Sequence, residues 1–503
     1  MIAILLLAAL QNSVVDITID ATRTYTISPY IYGANFPEWD KMNTPFPFVR
    51  LGGNRTTAYN WETNASNAGN DYHHQNDGYM GESNEPGWTV RTFIEPAQAH
   101  GAVALVTVPT AGYVSADKNG DGDVNQTPDY LDKRFFRSVA TKPGGKLSLK
   151  PDTTDRVVYQ DEFVNWVEHT RSPKLPVWYS LDNEPDLWNS THARIHPKPA
   201  TYAEIIANST EFGSAIKRVA PKALVFGPAN YGWQGFRKFQ DAPDGNGRDF
   251  LDAYLDGMKS AEQKSGRRIL DVLDIHWYPE AQGDGVRICF GDDKPGTPAA
   301  RIQAPRSLWD PTYVEKSWIT DSNGGKPLAL LPGIMSQIKN HYPGTKFGIT
   351  EYNYGGPKVI SGALAQADVL GIFGREGIFA ATNFGLGSAD VATLAGFRAF
   401  LNYDGNGSRF GATGVGVSGG SAERNSVYAS LDKGKLVAVC LNKSSVPSVF
   451  RFRLNGFKAA SGQAFVITSS SLGASTKAAV AVTGGVANLE APGESVTTIV
   501  LSK

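Results

Sequence analysis

"PVWYSLDNEP", residues 176–185, passes from an apolar stretch directly into two carboxylates, Asp182 and Glu184, with Asn183 between them. Asn, Asp and Pro are ordinary turn formers, so a plain turn closing a buried strand would account for the composition. What separates a turn from a site is recurrence. "YIYGANF" (30–36), "FPFVRLGGN" (46–54), "AVALVTVPTAG" (102–112), "ALVFGPAN" (223–230), "VLDIHWYP" (272–279), "KFGITEYN" (346–353) and "FAATNFGLG" (379–387) are built the same way, apolar first and polar or glycine-rich at the end. Between several of them lie segments of helical periodicity: 158–171, 201–220, 249–261 and 331–342. Apolar runs alternating with helices predict parallel strands covered by helices. Eight such units predict an α/β fold, a (β/α)8 TIM-like barrel, over residues 30–405. A doubly wound open sheet is the alternative, but no G-x-G-x-x-G follows the first run.

Beyond residue 405 the texture changes. "SVYASLDKGKLVAVCLNKS" and "VFRFRLNGF" alternate in period two between Gly, Ser and Asn turns, and the pattern continues to Lys503. This predicts a C-terminal all-β sandwich over 406–503. "DITIDATRTYTIS" (16–28) also reads as strand, so residues 13–29 are expected to pack on the sandwich. Ile2–Leu10 is an apolar run too short to span a bilayer, which needs about 20 residues. It has the form of a signal-peptide core without the usual basic start, or of a buried first strand. We expect residues 1–12 to be a signal peptide and the protein to be secreted.

The 503 residues carry 48 Lys and Arg against 49 Asp and Glu, a formal net charge of −1. That balance gives no basic patch for nucleic acid or an anionic membrane, and neither is expected as a partner. Cys289 and Cys440 have no metal or disulfide spacing and are expected to be free thiols. A monomer is expected.

In a barrel, function collects at the C-terminal ends of the strands. The fourth run ends in Asn183 and Glu184, the seventh in Glu351 and Tyr352, the sixth in His276 and Tyr278, and the second in Arg50 and Asn54. Two carboxyl groups at one mouth suit a glycosidic bond, one protonated to release the leaving oxygen and the other ionised to attack the anomeric carbon. His276 and Tyr278 would hydrogen-bond a carboxylate, Arg50 would keep the nucleophile ionised, and Asn183 would bind a sugar 2-hydroxyl. A single Glu after a strand is ordinarily a cap or an ion-pair partner. The pairing on two strands three units apart, each flanked by aromatics, argues for the catalytic reading.

"NEP" closing the fourth run and Glu closing the seventh resemble clan A of the glycoside hydrolases. "YSLDNEPDLWNSTHARIHP" (179–197), "RLGGNRTTAYNWETNASNAGND" (50–71), "VLDIHWYPE" (272–280) and "ITEYNYGG" (349–356) resemble glycoside hydrolase family 44 more specifically. The resemblance implies that Glu184 is the general acid/base and Glu351 the nucleophile, with no cofactor for catalysis. It implies retaining endo-hydrolysis of β-1,4-glucans, including xyloglucan. The eighth run departs from the family, having Phe384 where a tryptophan is expected. The competing functions are an exo-acting clan A arabinofuranosidase or β-xylosidase, and a non-catalytic carbohydrate-binding barrel.

Glucan chains present flat apolar faces, so aromatic platforms are expected along a cleft. Trp61 and Trp188 are the preferred platforms, with Tyr231, Trp233 and Trp277 also near run ends and Trp309 and Trp318 in the insertion between runs six and seven. "DKNGDGDVN" places Asp117, Asn119, Asp121 and Asp123 at alternate positions with Gly122 sixth, the front half of a calcium loop. Its twelfth position is Pro128 rather than Glu, and an acidic turn is the plain alternative. The family resemblance implies a structural calcium, for which Glu62, Asp152 and Asp155 are a competing ligand set.

Overall fold

A computed structural model of the chain describes residues 13–289 and 294–503. The predicted signal segment, 1–12, lies outside the described residues. Among those described, no helix is long and apolar enough to cross a membrane.

The eight apolar runs form eight parallel strands: Gly33–Asn35, Phe48–Leu51, Val103–Val108, Val177–Leu181, Val225–Asn230, Val272–Trp277, Lys346–Tyr352 and Ala380–Asn383. They close in chain order into a barrel, the eighth pairing with the first. Period-two alternation sorts their side chains. Phe48, Val103, Leu105, Trp178, Phe226, Val272 and Ala380 fill the lower barrel interior. Trp178 stacks on Phe226 at 5.8 Å and meets Tyr30 edge-on at 4.8 Å. The alternate residues, among them Tyr179, Leu273, Ile275 and Ile349, face the surrounding helices. The helical segments appear as Gln160–Thr170, Tyr202–Val219, Phe250–Ser265 and Leu330–His341. Tyr202–Val219 starts on a capping box, Thr201 bonding the Glu204 N–H and Glu204 reaching back.

Ser13–Thr26 is not a peripheral strand. It lies inside the C-terminal ten-stranded sheet, antiparallel to Thr413–Gly419 and parallel to Ser448–Asn455. The sheet's inner face packs Ile17, Ile19, Phe450, Phe452, Leu489 and Leu501 into a core of its own. The helix Ile360–Glu376 joins the two units. Almost all of its residues are buried, because one side covers the barrel and the other meets the sheet. Tyr428 donates to Asp368 at 2.7 Å, and Lys443 lies 2.6 Å from the same carboxylate. A Cβ at Gly371 would meet the Tyr428 ring at 2.1 Å, so only glycine admits this close approach.

Candidate active site

The seventh strand carries an irregularity that decides the site. Its pairing skips one residue against both neighbours, between Ile349 and Glu351 on one side and between Ile349 and Tyr352 on the other. This is a β-bulge, which re-aims the residues that follow it. Gly348 faces the interior and Ile349 the helices, so strict alternation would send Glu351 outward. The extra residue turns Glu351 into the barrel mouth and Tyr352 out against Phe373. Asp274 of the sixth strand holds the bulge, accepting from the Thr350 N–H at 3.1 Å and the Thr350 hydroxyl at 2.7 Å.

Glu184 arrives by a different device. The fourth strand ends at Leu181, and the next turn is pinned by buried Asp182, which accepts from the Thr57 hydroxyl and the Asn183, Thr110 and Ala111 N–H groups. Glu184 itself is left-handed, with φ of 42°, a conformation that costs a non-glycine residue about 1–3 kcal/mol. Its N–H donates to the Ala229 carbonyl at 3.0 Å, and a short turn, Pro185–Leu187, follows.

The two carboxyl groups converge. Among the described residues, Glu184, His276 and Glu351 are the one trio of metal-ligating type whose ligand atoms lie within 4.8 Å of one another. His276 Nδ1 lies 2.8 Å from Glu184 and 3.6 Å from Glu351. Glu351 further accepts from Arg50 at 2.6 Å and from the Tyr278 hydroxyl at 2.7 Å. Arg50 also donates to the Asn183 side chain at 2.7 Å and to Asn35 at 3.3 Å. A Cβ at Gly52 would fall 2.2 Å from the guanidinium carbon, so this glycine is what lets Arg50 fold back into the mouth.

The environments of the two acids differ in sign. Burial pushes the Glu184 carboxyl up, and the His276 hydrogen bond only partly opposes it, leaving it above the usual range. Burial pushes Glu351 up as well, but His276 and Arg50 with the Tyr278 hydrogen bond outweigh it and hold Glu351 below the usual range. For His276 itself, burial disfavours the charge, and the two carboxylates more than restore it.

Arg50, Asn183, Glu184, His276, Tyr278 and Glu351 therefore meet at one point. The preferred platforms do not. Trp61 is buried against Phe163 and Trp166, and Trp188 lies under the catalytic turn, its indole donating to the Asn183 carbonyl. Tyr352 is buried too, its hydroxyl accepting from Gln366. Large side chains just past a strand end fill the space between strand tops and helices, which is core. Among the described residues the exposed aromatics are Phe36, Tyr72, Tyr79 and Trp318, of which only Trp318 is among the cleft aromatics expected from the sequence. Phe36, Trp39, Phe93, Tyr79 and Phe384 line a cavity of about 650 Å³ whose floor is Gly53 and Asn54, next to Asn183. Phe384 lies on the wall of this cavity.

In the acidic loop expected to hold calcium, the carboxylates are paired with arginines. Arg134 donates to Asp117 at 2.7 and 2.9 Å and to Asp121 at 2.8 Å, while Arg194 grips Asp123 at 2.9 and 2.6 Å. Guanidinium groups neutralise these carboxylates, and Asn119 donates its N–H to Asp117 and its side chain to Asp121. The competing set has the opposite character. Glu62 is buried, one of its carboxylate oxygens has no hydrogen-bond partner, and burial followed by Asp155 and Glu162 pushes its carboxyl up to about 8. Lys142 bonds Glu162 at 2.7 Å beside this cluster, yet Glu62 keeps an unpartnered carboxylate oxygen, a donor of the kind calcium takes.

A closed parallel barrel whose mouth pairs one carboxyl pushed above its ordinary range with another held below it fits the two-carboxyl chemistry of glycoside hydrolases. The profile of glycoside hydrolase family 44 matches residues 65–281. The chain is 43% identical over 455 residues to endoglucanase A of Paenibacillus lautus, covering 86% of this chain and 64% of that one. It is 43% identical over 466 residues to beta-mannanase/endoglucanase A of Caldicellulosiruptor saccharolyticus, covering 86% of this chain and 34% of that one. It thus spans just under two thirds of the first of these curated relatives and about a third of the second. A family 44 xyloglucanase from Paenibacillus polymyxa, solved with xyloglucan, superposes with a TM-score of 0.92 at 37% identity, covering 98% of this chain and 100% of that one. The chain belongs to glycoside hydrolase family 44.

Proposed function

We propose that this chain hydrolyses the backbone of β-1,4-glucans, xyloglucan included, from within the chain and with retention of configuration. The observation that carries the reading is the pair of carboxyl groups with oxygens inside 4.8 Å and opposed environments. Retaining enzymes hold their two carboxyl groups about 5–5.5 Å apart, whereas inverting ones leave about 6.5–9.5 Å for a water. Glu351 attacks the anomeric carbon as Glu184 passes its proton to the departing oxygen, so the glycosidic bond breaks and a glycosyl ester forms. Glu184, now ionised, takes a proton from water, whose oxygen attacks the same carbon and frees Glu351. The Asn183 Nδ2 group, held only loosely by Asn54 at 3.4 Å, is the donor for the sugar 2-hydroxyl. The cavity beside Asn183, with the exposed Phe36 and Tyr79 on its wall, supports an extended cleft rather than a closed exo pocket. Product analysis on xyloglucan and on unbranched β-glucan tests this. A ladder of oligosaccharides whose first-formed anomer is β is expected, and release of single sugars only, or the α anomer first, overturns it.

We further propose that Glu62, with Asp152 and Asp155, holds a structural calcium ion. Bound there, the ion would supply charge compensation and order the 150s loop, and the hydrolytic steps above are carried by the side chains at the barrel mouth.

A further inference from the structure

Two residues past Glu184 lies a second acid that the double displacement leaves unused. Asp186 is buried, and its carboxylate oxygens are 3.3 and 3.4 Å from the Tyr231 N–H and 3.4 Å from the Asn230 side-chain nitrogen. Those are long contacts for an ionised carboxylate, whose charge-assisted bonds run about 2.7–2.9 Å. On the same Asn230 amide, the buried Oδ1 has no hydrogen-bond partner. A carboxylate cannot satisfy that acceptor, because it has no proton to give. A carboxylic acid can: its O–H would donate to Asn230 Oδ1 while its carbonyl oxygen accepts from Asn230 Nδ2, a closed two-bond pair. The side chain is also fitted closely, since a Cβ at Gly235 would stand 1.9 Å from Asp186 Oδ2.

We propose that Asp186 is the positioning residue of the acid/base Glu184, working as a neutral carboxylic acid paired with Asn230. The pair joins the turn after the fourth strand to the end of the fifth, the same two segments that the Glu184 N–H bond to Ala229 links. Glu184 and Ala229 are both left-handed, with φ of 42° and 59°. The turn that aims the acid at the leaving oxygen is therefore held by two ties, one from the backbone and one from Asp186. The titratable side chains acting on Asp186 are Glu184 from its own segment and Tyr231 from the fifth-strand end, with His276, Arg50 and Glu351 beyond Glu184. Burial, then the charge of Glu184, pushes the Asp186 carboxyl up to about 7, in keeping with a proton retained there.

The inference rests on Glu184 being the acid, so the test carries a control for that role. Wild type, Asp186→Asn, Asp186→Ala and Glu184→Ala are compared on a β-glucan oligosaccharide and on an aryl glycoside with a good leaving group. Asn presents the same donor and acceptor as a neutral carboxyl, so Asp186→Asn is expected within about threefold of wild type in kcat on both. Asp186→Ala is expected to lose about 10- to 100-fold in kcat on the oligosaccharide, as a misplaced catalytic group does, with KM unchanged and little loss on the aryl glycoside. An Asp186→Asn variant with a native melting profile but the same loss as Asp186→Ala overturns the neutral pairing. Equal losses on both substrates in Asp186→Ala overturn the positioning role and leave a purely structural one. Should Asp186→Ala fail to fold, Asp186→Asn alone decides. A Glu184→Ala variant with no leaving-group dependence overturns the acid assignment itself, a failure visible separately from the other two.

Discussion

Glu351 sits among Arg50, His276 and the Tyr278 hydroxyl, and this company is what keeps a buried carboxylate ionised. Replacing it with Gly is expected to abolish hydrolysis without loss of the fold, and azide should restore part of the turnover on an activated aryl glycoside. Wild-type-like activity in that variant would remove the nucleophile assignment. Glu184→Ala should slow poor leaving groups far more than good ones, since only the former need the proton. The pH profile follows from the two directions. Glu351 must be ionised and is held low, so activity should persist to acidity below the usual carboxylate range. Glu184 must be protonated and is held high, so the alkaline limb should fall above that range. A kcat/KM profile with both limbs at ordinary carboxylate values would contradict this. Most of these residues were legible as strand-end polar groups. Asn35, Asp274 and Gly52 were not, because an Asn inside a strand, an Asp inside another and a glycine in a turn carry no local signal of what they approach.

The bulge in the seventh strand exists because Asp274 receives both the N–H and the hydroxyl of Thr350. Asp274→Ala should relax it and swing Glu351 toward its outward phase. A loss of about 100-fold in kcat with a cooperative melt is expected, and an unimpaired variant would mean that the bulge is held by the neighbouring strands alone. The loop around Glu62 predicts a different pH effect. Its folded carboxyl keeps a proton up to about 8 against 4.5 for the ordinary group. Between those values the folded state binds more protons than the unfolded one, so stability falls as pH rises through this window. In chelator the melting temperature should therefore drop from pH 5 to pH 8. Added calcium should raise it most at pH 8, and Glu62→Gln should flatten both responses. Invariance of the wild-type melt to calcium would overturn the site. Four helices were readable from amphipathic periodicity. Ile360–Glu376 and Val391–Leu401 were not, because a helix covered on every side has no polar face to betray its period.

At the level of the molecule, barrel and sheet share a seam. Lys443 and Asp368 form a buried ion pair across it, so Lys443→Met should cost about 3–5 kcal/mol by leaving the carboxylate without its cation. A chemical-denaturation curve checks this, and a change under about 1 kcal/mol would show the pair to be dispensable. The seam also makes the barrel dependent on its neighbour, since removing residues 406–503 would strip the cover from Ile360–Glu376 and the pairing partners from Ser13–Thr26. The sequence by itself determined the eight parallel strands, the β-rich C-terminal unit and the two acids, because apolar runs and strand-end polar residues are local signals that survive in one dimension. Only the tertiary structure decided which way those residues point. A single inserted residue in the seventh strand turned Glu351 inward and Tyr352 outward, buried Trp61 and Trp188 proved to be core, and Arg134 and the more distant Arg194 paired with the acidic loop. Each depends on register and on partners far along the chain, and "SLDNEP" became a site through what the fifth, sixth and seventh strands place around it.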